Sequence, residues 1–517
     1  MAETVLDAVR RHARDKGGDT VYWTPTRIWT FAALDEASGR IAQGLKSLRV
    51  GSGDRVACLT KHTAECVALA LAANKLGAVC MPVNWRLAPP EIEYIVNNGK
   101  AKFMMVDAVF ESNFKEVKAN AIKTTIVTEG FSSWYRQFKA IEHERTPQKD
   151  ETAIQLYSSG TTGVPKGVEL THRNLMAGMM DAVPAAIGYH GAPDVMLNAL
   201  PTYHIAGVGV ALLTASRGGP SVLYPDFDPA RVIAAIAEHR VTHSFLVPAM
   251  IQFMLQVPGV ENGDYSSLKG ISYGASPISE KVLIDAMRTF KCRFMQVYGL
   301  TETTGAITAL PPEDHDPEGP KRHLLRSAGK PIEGVELRVV EPATGRDCAE
   351  GEVGEVWIRS AQNMKGYWAN PKATGEAFVD RGADGLGWFR SGDAGFLRDG
   401  YVYMHDRIKD MIVSGGENIY PAEVENALMQ HPAVADGAVI GVPDEHWGEA
   451  VKACVVLKPG ARATQTEIID FMRGRIAHFK CPRSVDFVDA IPRNPTGKIL
   501  KRVLREPYWR GRERRVN

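Results

Sequence analysis

The chain has 517 residues, of which 44% are hydrophobic and 23% charged, and its formal net charge is +1. This length predicts two to four compact units rather than one core. The near-neutral charge balance argues against a general affinity for nucleic acid. No stretch approaches the roughly 18 apolar residues of a membrane span. We therefore expect a globular, cytoplasmic protein without a membrane span.

The cysteines and the first residues are typical of a protein in a reducing compartment. The seven cysteines are scattered, and no two form a C-x-x-C pair. This predicts reduced thiols and neither a disulfide framework nor a zinc site. Residues 1–16 place Val5, Leu6 and Val9 among charged side chains, which predicts an amphipathic helix and not a signal peptide.

Short apolar segments alternate with helical stretches in residues 54–129 and 221–297. In the first region we predict an Ala/Leu-rich helix at 64–76 and strands at 55–59, 79–83, 102–106 and 124–127. In the second region we predict strands at 221–224, 243–247, 270–273 and 293–297. Ser276, followed by Pro277, is expected to cap a helix with Val282, Leu283, Ala286 and Phe290 on its apolar face. Strands separated by helices predict α/β sheets with parallel pairing.

The sequence pattern changes after about residue 333. Short strands with Gly-rich turns are predicted at 336–340, 354–358 and 401–404. Helices at 422–430 and 467–477 and strands at 438–440 and 453–457 follow. We predict an α/β protein with a large N-terminal domain of stacked α/β sheets and a β-rich subdomain, residues 1–407. A small, mobile α+β domain, residues 408–517, follows a tight hinge, because no low-complexity linker separates the two.

The segment 157–167 is the strongest functional signal in the chain. Seven of the ten residues 158–167 are Ser, Thr or Gly, so the backbone can fold around a polyphosphate and offer amide and hydroxyl donors. Lys166 adds a positive charge, and Pro165 and Gly167 beside it distinguish the segment from a P-loop. A flexible surface turn is the alternative, but apolar segments on both sides favour a phosphate loop between two strands. The candidate nucleotide-binding residues are Ser158, Ser159, Gly160, Thr161, Thr162, Gly163 and Lys166.

This segment resembles the phosphate loop of the adenylate-forming enzymes, which include acyl-CoA synthetases, firefly luciferase and the adenylation domains of peptide synthetases. The resemblance covers roughly residues 20–500. It implies binding of ATP with Mg²⁺, activation of a carboxylic acid and, for an acyl-CoA synthetase, transfer of the acyl group to coenzyme A.

A second group of candidates is the run Gln296-Val297-Tyr298-Gly299-Leu300-Thr301-Glu302, at the end of a predicted strand. Ligands of open α/β sheets bind at such strand ends. Tyr298 could stack on a purine, Thr301 could bond the α-phosphate and Glu302 could hold Mg²⁺. A strand end with a capping Thr and a solvated Glu is the alternative. The resemblance implies the nucleotide roles for Gln296, Tyr298, Gly299 and Thr301, and adds an adenine pocket at Gly274, Ala275 and Ser276.

Two later motifs complete the expected nucleotide site. Asp393 could accept both ribose hydroxyls, and Arg407 suits a ribose or phosphate contact. Surface turns joined by a salt bridge are the alternative. The resemblance identifies Asp393 as the nucleotide-binding aspartate and Lys409 as the hinge residue.

The C-terminal region contributes further candidates by resemblance. Gly415 and Gly416 match the loop that contacts the pantetheine of CoA, with a plain strand-to-helix turn as the alternative. Lys498 matches the lysine that neutralises charge during adenylation. The basic residues Lys501, Arg502 and 505–515 are interpreted most simply as a solvated chain end, with a contact to CoA phosphates or to an acidic surface as the alternative.

The acid-binding pocket is expected near His204. His204 precedes an apolar segment, and the resemblance places it at the wall that contacts the carboxylate or gates the acyl tunnel; a satisfied core histidine is the alternative. Small residues at Ala206, Gly207 and Gly209 are expected to leave room for a chain. Gly299 stands where acetyl-CoA synthetases carry a bulky Trp, which disfavours a pocket restricted to acetate.

We therefore expect an ATP-dependent, AMP-forming acyl-CoA synthetase, with Lys498, Glu302, Lys166 and His204 as its catalytic residues and a fatty acid of medium length as its substrate. An aryl acid such as coumarate, ferulate or benzoate is one alternative. Loading of a carrier protein, a non-catalytic nucleotide-binding protein and a luciferase-like oxidation are the others. We also expect a homodimer.

Overall fold

The structure is a computed structural model that describes residues 4–141, 145–158, 165–276, 278–342, 344–383, 385–407, 410–415, 417–493 and 499–510. The α-helices are α1 Val5–Asp15, α2 Phe31–Ser47, α3 Ala64–Lys75, α4 Pro89–Asn98, α5 Glu111–Lys115, α6 Thr128–Arg136, α7 His172–Leu175, α8 Val183–Ile187, α9 Ile205–Arg217, α10 Pro229–Glu238, α11 Pro248–Leu255, α12 Glu280–Phe290, α13 Pro371–Ala377, α14 Pro421–Leu428, α15 Gln465–Arg473 and α16 Lys501–Trp509. A π-helix, Met176–Ala182, joins α7 to α8. Short 3₁₀ turns occupy Ala108–Phe110, Val260–Asn262, Pro312–Asp314, Arg322–Arg326 and His478–Lys480.

The strands are β1 Thr20–Trp23, β2 Ile28–Thr30, β3 Arg55–Leu59, β4 Val79–Pro82, β5 Ala101–Val106, β6 Thr124–Val127, β7 Thr152–Ser158, β8 Lys166–Thr171, β9 Met196–Asn198, β10 Ser221–Leu223, β11 His243–Leu246, β12 Gly270–Gly274, β13 Arg293–Leu300, β14 Gly305–Leu310, β15 Lys330–Pro331, β16 Val335–Val340, β17 Gly354–Ser360, β18 Gly366–Tyr367, β19 Phe378–Val379, β20 Trp388–Arg398, β21 Tyr401–Arg407, β22 Ile412–Ser414, β23 Glu417–Ile419, β24 Val434–Asp444, β25 Gly448–Leu457 and β26 Ser484–Phe487.

Two large sheets form most of the N-terminal region. One has seven strands in the order β18-β8-β7-β4-β3-β5-β6, and the other has nine in the order β15-β14-β13-β12-β11-β9-β10-β1-β2. The central strands of both sheets pair in parallel, whereas the β7–β8 and β13–β14 pairs are antiparallel. The predicted parallel α/β sheets are therefore confirmed.

Two smaller sheets follow. Strands β16, β17, β19, β20 and β21 form an antiparallel sheet, as the change of sequence pattern after residue 333 predicts. Strands β22 to β26 form the C-terminal sheet, in which β24 and β25 make a long antiparallel pair and β26 pairs with β25 in parallel. The prediction of a large N-terminal region and a small α+β unit is confirmed.

A layer of helices separates the two large sheets. Helix α3 packs on strands of the seven-stranded sheet, α9 packs on β9 and β10 of the nine-stranded sheet, and the two helices contact each other. All of α9 from Gly207 to Ser216 is buried, as expected of a helix that is apolar on every side. One apolar cluster therefore runs from Phe103 on one sheet to Leu223 on the other. No helix in the described ranges combines the length and apolar character needed to cross a membrane.

Helix α12 begins later than the sequence predicts. Ser279 is the N-cap, and its side chain accepts a hydrogen bond from the amide of Val282, so the expectation that Ser276 caps this helix is wrong. The reason is the turn before it, where Ala275 has a left-handed φ of 69°. The predicted apolar face is correct, because Leu283, Ala286 and Phe290 are buried.

The basic C-terminal segment is not simply a solvated end. Residues Lys501–Trp509 form helix α16, which packs against β24. Leu504 and Tyr508 contact an apolar cluster that includes Ile440, and Trp509 donates a hydrogen bond to the carbonyl of Gly441 at 3.0 Å. Apolar contacts on one face outweigh the positive charge on the other.

Candidate active site

The predicted phosphate segment lies between two paired strands. Strand β7 ends at Ser158 and β8 begins at Lys166, and these two residues face each other in the antiparallel pair. Ser159, Gly160, Thr161, Thr162 and Gly163 lie outside the described residues. The flanking strands therefore match the prediction of a loop between strands.

Ser158 connects this segment with the second motif. Its hydroxyl donates a hydrogen bond to Oε1 of Glu302 at 2.8 Å. Ser158 ends a strand of the seven-stranded sheet, whereas Glu302 follows β13 of the nine-stranded sheet. The structure thus brings together two motifs that are 144 positions apart in the chain.

Tyr367 is a member of this group that the sequence does not reveal. Its hydroxyl donates to the same Oε1 of Glu302 at 3.2 Å, and Nζ of Lys166 lies 4.9 Å from the centre of its ring. Tyr367 reaches this position because β18 pairs with β8, so that Tyr367 lies opposite Val168. The only signal in the sequence is a Gly-Tyr pair far from every other candidate.

Glu302 suits a magnesium ion held jointly with a nucleotide. The residue is 9% exposed, and within the described ranges no donor reaches its Oε2. Mg²⁺ commonly takes one or two carboxylate oxygens, with phosphate oxygens and water completing its shell. The described part of the chain contains no cluster of three His, Cys, Asp or Glu that could hold a metal alone. The donor set therefore fits Mg²⁺ bound as a nucleotide complex.

The candidate ribose site is joined to the same motif. The hydroxyl of Tyr298 donates to Oδ2 of Asp393 at 2.7 Å. The amide of Asp393 in turn donates to the hydroxyl of Ser391 at 3.0 Å. Arg407 lies opposite Asp393 in the β20–β21 pair, so the backbone brings these two candidates side by side.

The remaining nucleotide candidates lie on neighbouring strand ends. Gly274 ends β12 opposite Val297 of β13, and Ala275 and Ser276 continue into the turn beyond it. Gln296 lies on β13, and its Oε1 is buried and accepts no hydrogen bond from the described part of the chain. Thr301 begins the turn after β13 and is half-buried. These residues share the edge of the sheet at which the sequence predicts the adenine site.

His204 is neutral at physiological pH. It precedes the first residue of α9, and its Nε2 is buried without a partner in the structure. Burial, together with the positive charge of Arg86, lowers the pKa of His204 to about 4. A carboxylate at this position would meet a hydrogen-bonding imidazole, and Arg86 would supply the positive charge.

Two glycines of the expected acyl pocket, Gly207 and Gly299, do not open space in the way the sequence predicts. A Cβ on Gly207 would collide with the carbonyl of Pro201, and one on Gly299 would collide with the carbonyl of Gly305. Both positions are therefore glycine because another backbone passes close by, and their missing side chains add no volume. Ala206 packs beside the apolar cluster on the outer side of the nine-stranded sheet.

In the C-terminal region the structure places one of the predicted residues. Gly415 has a left-handed φ of 60°, and its amide donates to the carbonyl of Trp447 at 2.8 Å. A Cβ at this position would collide with the indole ring of Trp447, which is 42% exposed. Lys409, Gly416 and Lys498 lie outside the described residues, and their roles remain predictions.

Three relatives are similar along nearly the whole chain. A fatty acid–[acyl-carrier-protein] ligase of Streptomyces coeruleorubidus is 37% identical and covers 100% of this chain and 98% of its own. A long-chain-fatty-acid–CoA ligase of Mycobacterium tuberculosis is 37% identical over 93% of both chains. A feruloyl-CoA synthase of Amycolatopsis is 36% identical over 93% of this chain and 94% of its own.

The solved structures agree in fold. ATP-bound MatB from Rhodopseudomonas palustris superposes with a TM-score of 0.88 at 29% identity and covers 98% of this chain and 99% of its own. The apo form of the same protein gives a TM-score of 0.78 over 98% of this chain and 99% of its own. The arrangement of this chain is thus closer to the ATP-bound form.

Two family models match the sequence. The model described as AMP-binding enzyme matches residues 9–368, and the model of the AMP-binding enzyme C-terminal domain matches residues 423–498. Together with the convergence of the phosphate segment, Glu302 and Asp393, these matches give the family. The chain belongs to the AMP-binding enzymes, the adenylate-forming family of acyl-CoA ligases.

Proposed function

We propose that this protein is an ATP-dependent, AMP-forming ligase that joins a carboxylic acid to the thiol of coenzyme A. The observation that carries this proposal is the pair of hydrogen bonds from Ser158 and Tyr367 to Glu302, with Lys166 beside the Tyr367 ring. These contacts hold a cation, a carboxylate and hydroxyl donors within one site. A magnesium-bound triphosphate requires such a set.

In the first step, a carboxylate oxygen of the acid attacks the α-phosphorus of ATP. The bond from that phosphorus to the bridging oxygen breaks, and pyrophosphate leaves. Lys166 and the loop 158–163 hold the phosphates, Asp393, oriented by the hydroxyl of Tyr298, holds the ribose, and Lys498 neutralises the charge that develops in the transition state. A bound Mg²⁺, with Glu302 as its ligand, would offset the charge of the departing phosphates.

In the second step, the thiol of CoA gives up its proton to solvent, and the thiolate attacks the acyl carbon. The bond from this carbon to the adenylate oxygen breaks, and AMP leaves. This step needs Lys498 withdrawn and the loop of Gly415 and Gly416 presented, so the unit of residues 408–517 is proposed to rotate about Lys409.

The acid is proposed to be a fatty acid of medium chain length. The largely buried His204 and the apolar helix α9 behind it support an alkyl substrate. Two of the three relatives act on fatty acids, and the third, a feruloyl-CoA synthase, supports an aryl acid as the alternative.

A carrier protein is the alternative acceptor. The relative from Streptomyces coeruleorubidus, which is aligned with all of this chain, is named as a ligase that uses an acyl carrier protein. The phosphopantetheine arm of a carrier ends in the same thiol as CoA, so both acceptors require the same second step. The expected cytoplasmic location and homodimer belong to this proposal as well, and light scattering measures the second.

The test is pyrophosphate release from ATP and magnesium with a panel of acids, from acetate to long-chain and aryl carboxylates, each without an acceptor, with CoA and with an acyl carrier protein. We expect continuous release only when CoA is present, and most rapidly with medium-chain acids. Pyrophosphate release that continues only with a carrier protein would show that the carrier, and not CoA, is the acceptor. The absence of release with every acid would refute the ligase activity. Lys498→Ala should abolish adenylation, whereas Lys372→Ala, at a position where the side chain is 88% exposed, should not.

A further inference from the structure

The thioether of Met179 lies between two glycines on different elements. A Cβ on Gly209 of α9 would lie 2.7 Å from Cε of Met179, and a Cβ on Gly305 of β14 would lie 3.0 Å from its Sδ. Gly305 has a φ of 109°, which also favours glycine at that position. Met179 is 3% exposed. Its side chain therefore fills the gap that the two absent side chains leave between α9 and the start of β14.

The two glycines that border this gap both lie close in sequence to residues of the candidate active site. Gly209 is five residues beyond His204, or about 7.5 Å along the axis of α9. Gly305 ends the turn that begins at Thr301 and contains Glu302. An alkyl chain whose carboxylate lies at His204 would therefore meet Met179 if it extended along α9 as far as Gly209.

The side chain at this position is suited to movement, and its backbone is of a kind that is common at functional sites. Methionine is unbranched and has three rotatable bonds, so it can adopt another rotamer where a branched or aromatic residue would be fixed. Met179 lies within the π-helix Met176–Ala182, and such segments are common at functional sites.

Ordinary core packing is the alternative explanation for the position of Met179. The adjacent residue, Met180, provides a control for it. Met180 belongs to the same π-helix and is 2% exposed. The hydroxyl of Ser216 contacts its Sδ at 2.6 Å, and none of the described glycines borders it. Met180 thus matches Met179 in type, burial and backbone, but not in the gap that it fills.

We propose that Met179 is a movable plug at the end of the acyl pocket and determines the length of chain that the enzyme accepts. A medium-length chain ends at the thioether, and a longer chain must displace it from between Gly209 and Gly305. This inference rests on the proposed activity toward fatty acids and adds the residue that sets their length.

The test compares the ratio of kcat/KM for hexadecanoate to that for octanoate in the parent, Met179→Ala and Met180→Ala. Because the ratio is taken within one variant, a general loss of activity cancels. We expect Met179→Ala to raise the ratio about tenfold, since the longer chain buries further methylenes in the vacated gap. Met180→Ala should leave the ratio unchanged.

Two further variants keep the test decisive if Met179→Ala folds poorly. Met179→Leu preserves the volume but replaces the flexible thioether with a branched side chain, so the ratio should fall severalfold. In the Met179→Ala background, Gly209→Leu refills the gap from the side of α9 with a good helix former and should return the ratio to the parent value.

Equal ratios for Met179→Ala, Met180→Ala and the parent would overturn the inference and leave the ligase activity intact. Activity of the parent with aryl acids alone would also overturn it. Failure of the parent to release pyrophosphate with any acid would instead refute the proposed function, and the inference with it.

Discussion

Two tyrosine–carboxylate pairs in this protein have the same geometry but different surroundings. Tyr298 donates to Asp393 and Tyr401 donates to Asp314, and both hydrogen bonds measure 2.7 Å. Only the first pair lies among the nucleotide candidates. The second has Lys321 as an additional partner of the carboxylate, at 2.7 Å, and serves the packing of the β21 strand.

We expect Tyr298→Phe to raise the KM for ATP about tenfold, because a hydrogen bond to a charged group contributes about 1.5–3 kcal/mol and Asp393 would lose its orientation. ATP–pyrophosphate exchange at varied ATP concentration measures the effect. Tyr401→Phe is the matched control and should change the melting temperature but not the KM. A KM that rises equally in both variants would show that the effect is structural.

The site residues that sequence reasoning could identify are those in compact motifs. Ser158, Lys166 and Glu302 each belong to a run whose composition indicates phosphate or metal chemistry. Tyr367 has no such run around it, and its place beside Glu302 depends on the pairing of β18 with β8. That pairing joins segments some 200 positions apart, and no local pattern encodes it.

At the scale of elements, α16 shows why a charge pattern can mislead. The segment from Lys501 is rich in arginine, but Leu504 and Tyr508 lie on one face of a helix and pack on the C-terminal sheet. Arg505 pairs with Asp410 at 2.8 Å, with 13% and 10% of the two side chains exposed. Helix α16 is thereby tied to a residue next to the predicted hinge.

We expect Arg505→Met to destabilise the C-terminal region by about 3 kcal/mol, because it leaves Asp410 buried without its ion partner. Amide hydrogen exchange of helix α16 and strand β24 at increasing denaturant concentration would measure the loss. Adding Asp410→Asn should recover part of it, since the buried charge is removed as well. Arg502→Met, on an exposed side chain of the same helix, should have little effect. Equal losses in the Arg505 and Arg502 variants would contradict this account.

Glycine positions in the sequence do not predict the volume of the acyl pocket. The sequence indicates small residues at Gly207 and Gly299, but it does not indicate which groups pack against them. At both positions the neighbouring group is a backbone carbonyl. At Gly209 it is the end of a flexible side chain instead. The same residue type therefore means a fixed close approach at two positions and an adjustable gap at the third.

For the whole molecule, three buried histidines link stability to pH. Burial lowers the pKa of His62, His172 and His204 to about 4, and each has a buried ring nitrogen that meets no partner among the residues that the structure describes. In the unfolded chain their pKa returns to about 6.5. Between these values the unfolded state binds protons that the folded state does not, so lower pH favours unfolding.

We therefore expect the free energy of unfolding to fall as the pH decreases from about 6.5 toward 4, by up to about 4 kcal/mol per pH unit if all three histidines contribute. Melting temperatures measured from pH 8 to pH 4.5 would reveal it. His172→Gln should make the fall shallower, whereas His446→Gln, at an exposed position, should not. A fall that is equally steep in both variants would contradict the assignment.

Helix α3 bears on the active site without containing any of its residues. Its alanines, among them Ala68 and Ala72, are fully buried in the layer between the two sheets. The hydrogen bond from Ser158 to Glu302 spans the same two sheets at 2.8 Å. A larger side chain in α3 would wedge the sheets apart and stretch that bond, because a packed interior yields little to added volume. We therefore expect the positions least tolerant of substitution to include Ala68 and Ala72, which belong to none of the candidate sequence motifs but help to set the separation of the two sheets that meet at the active site.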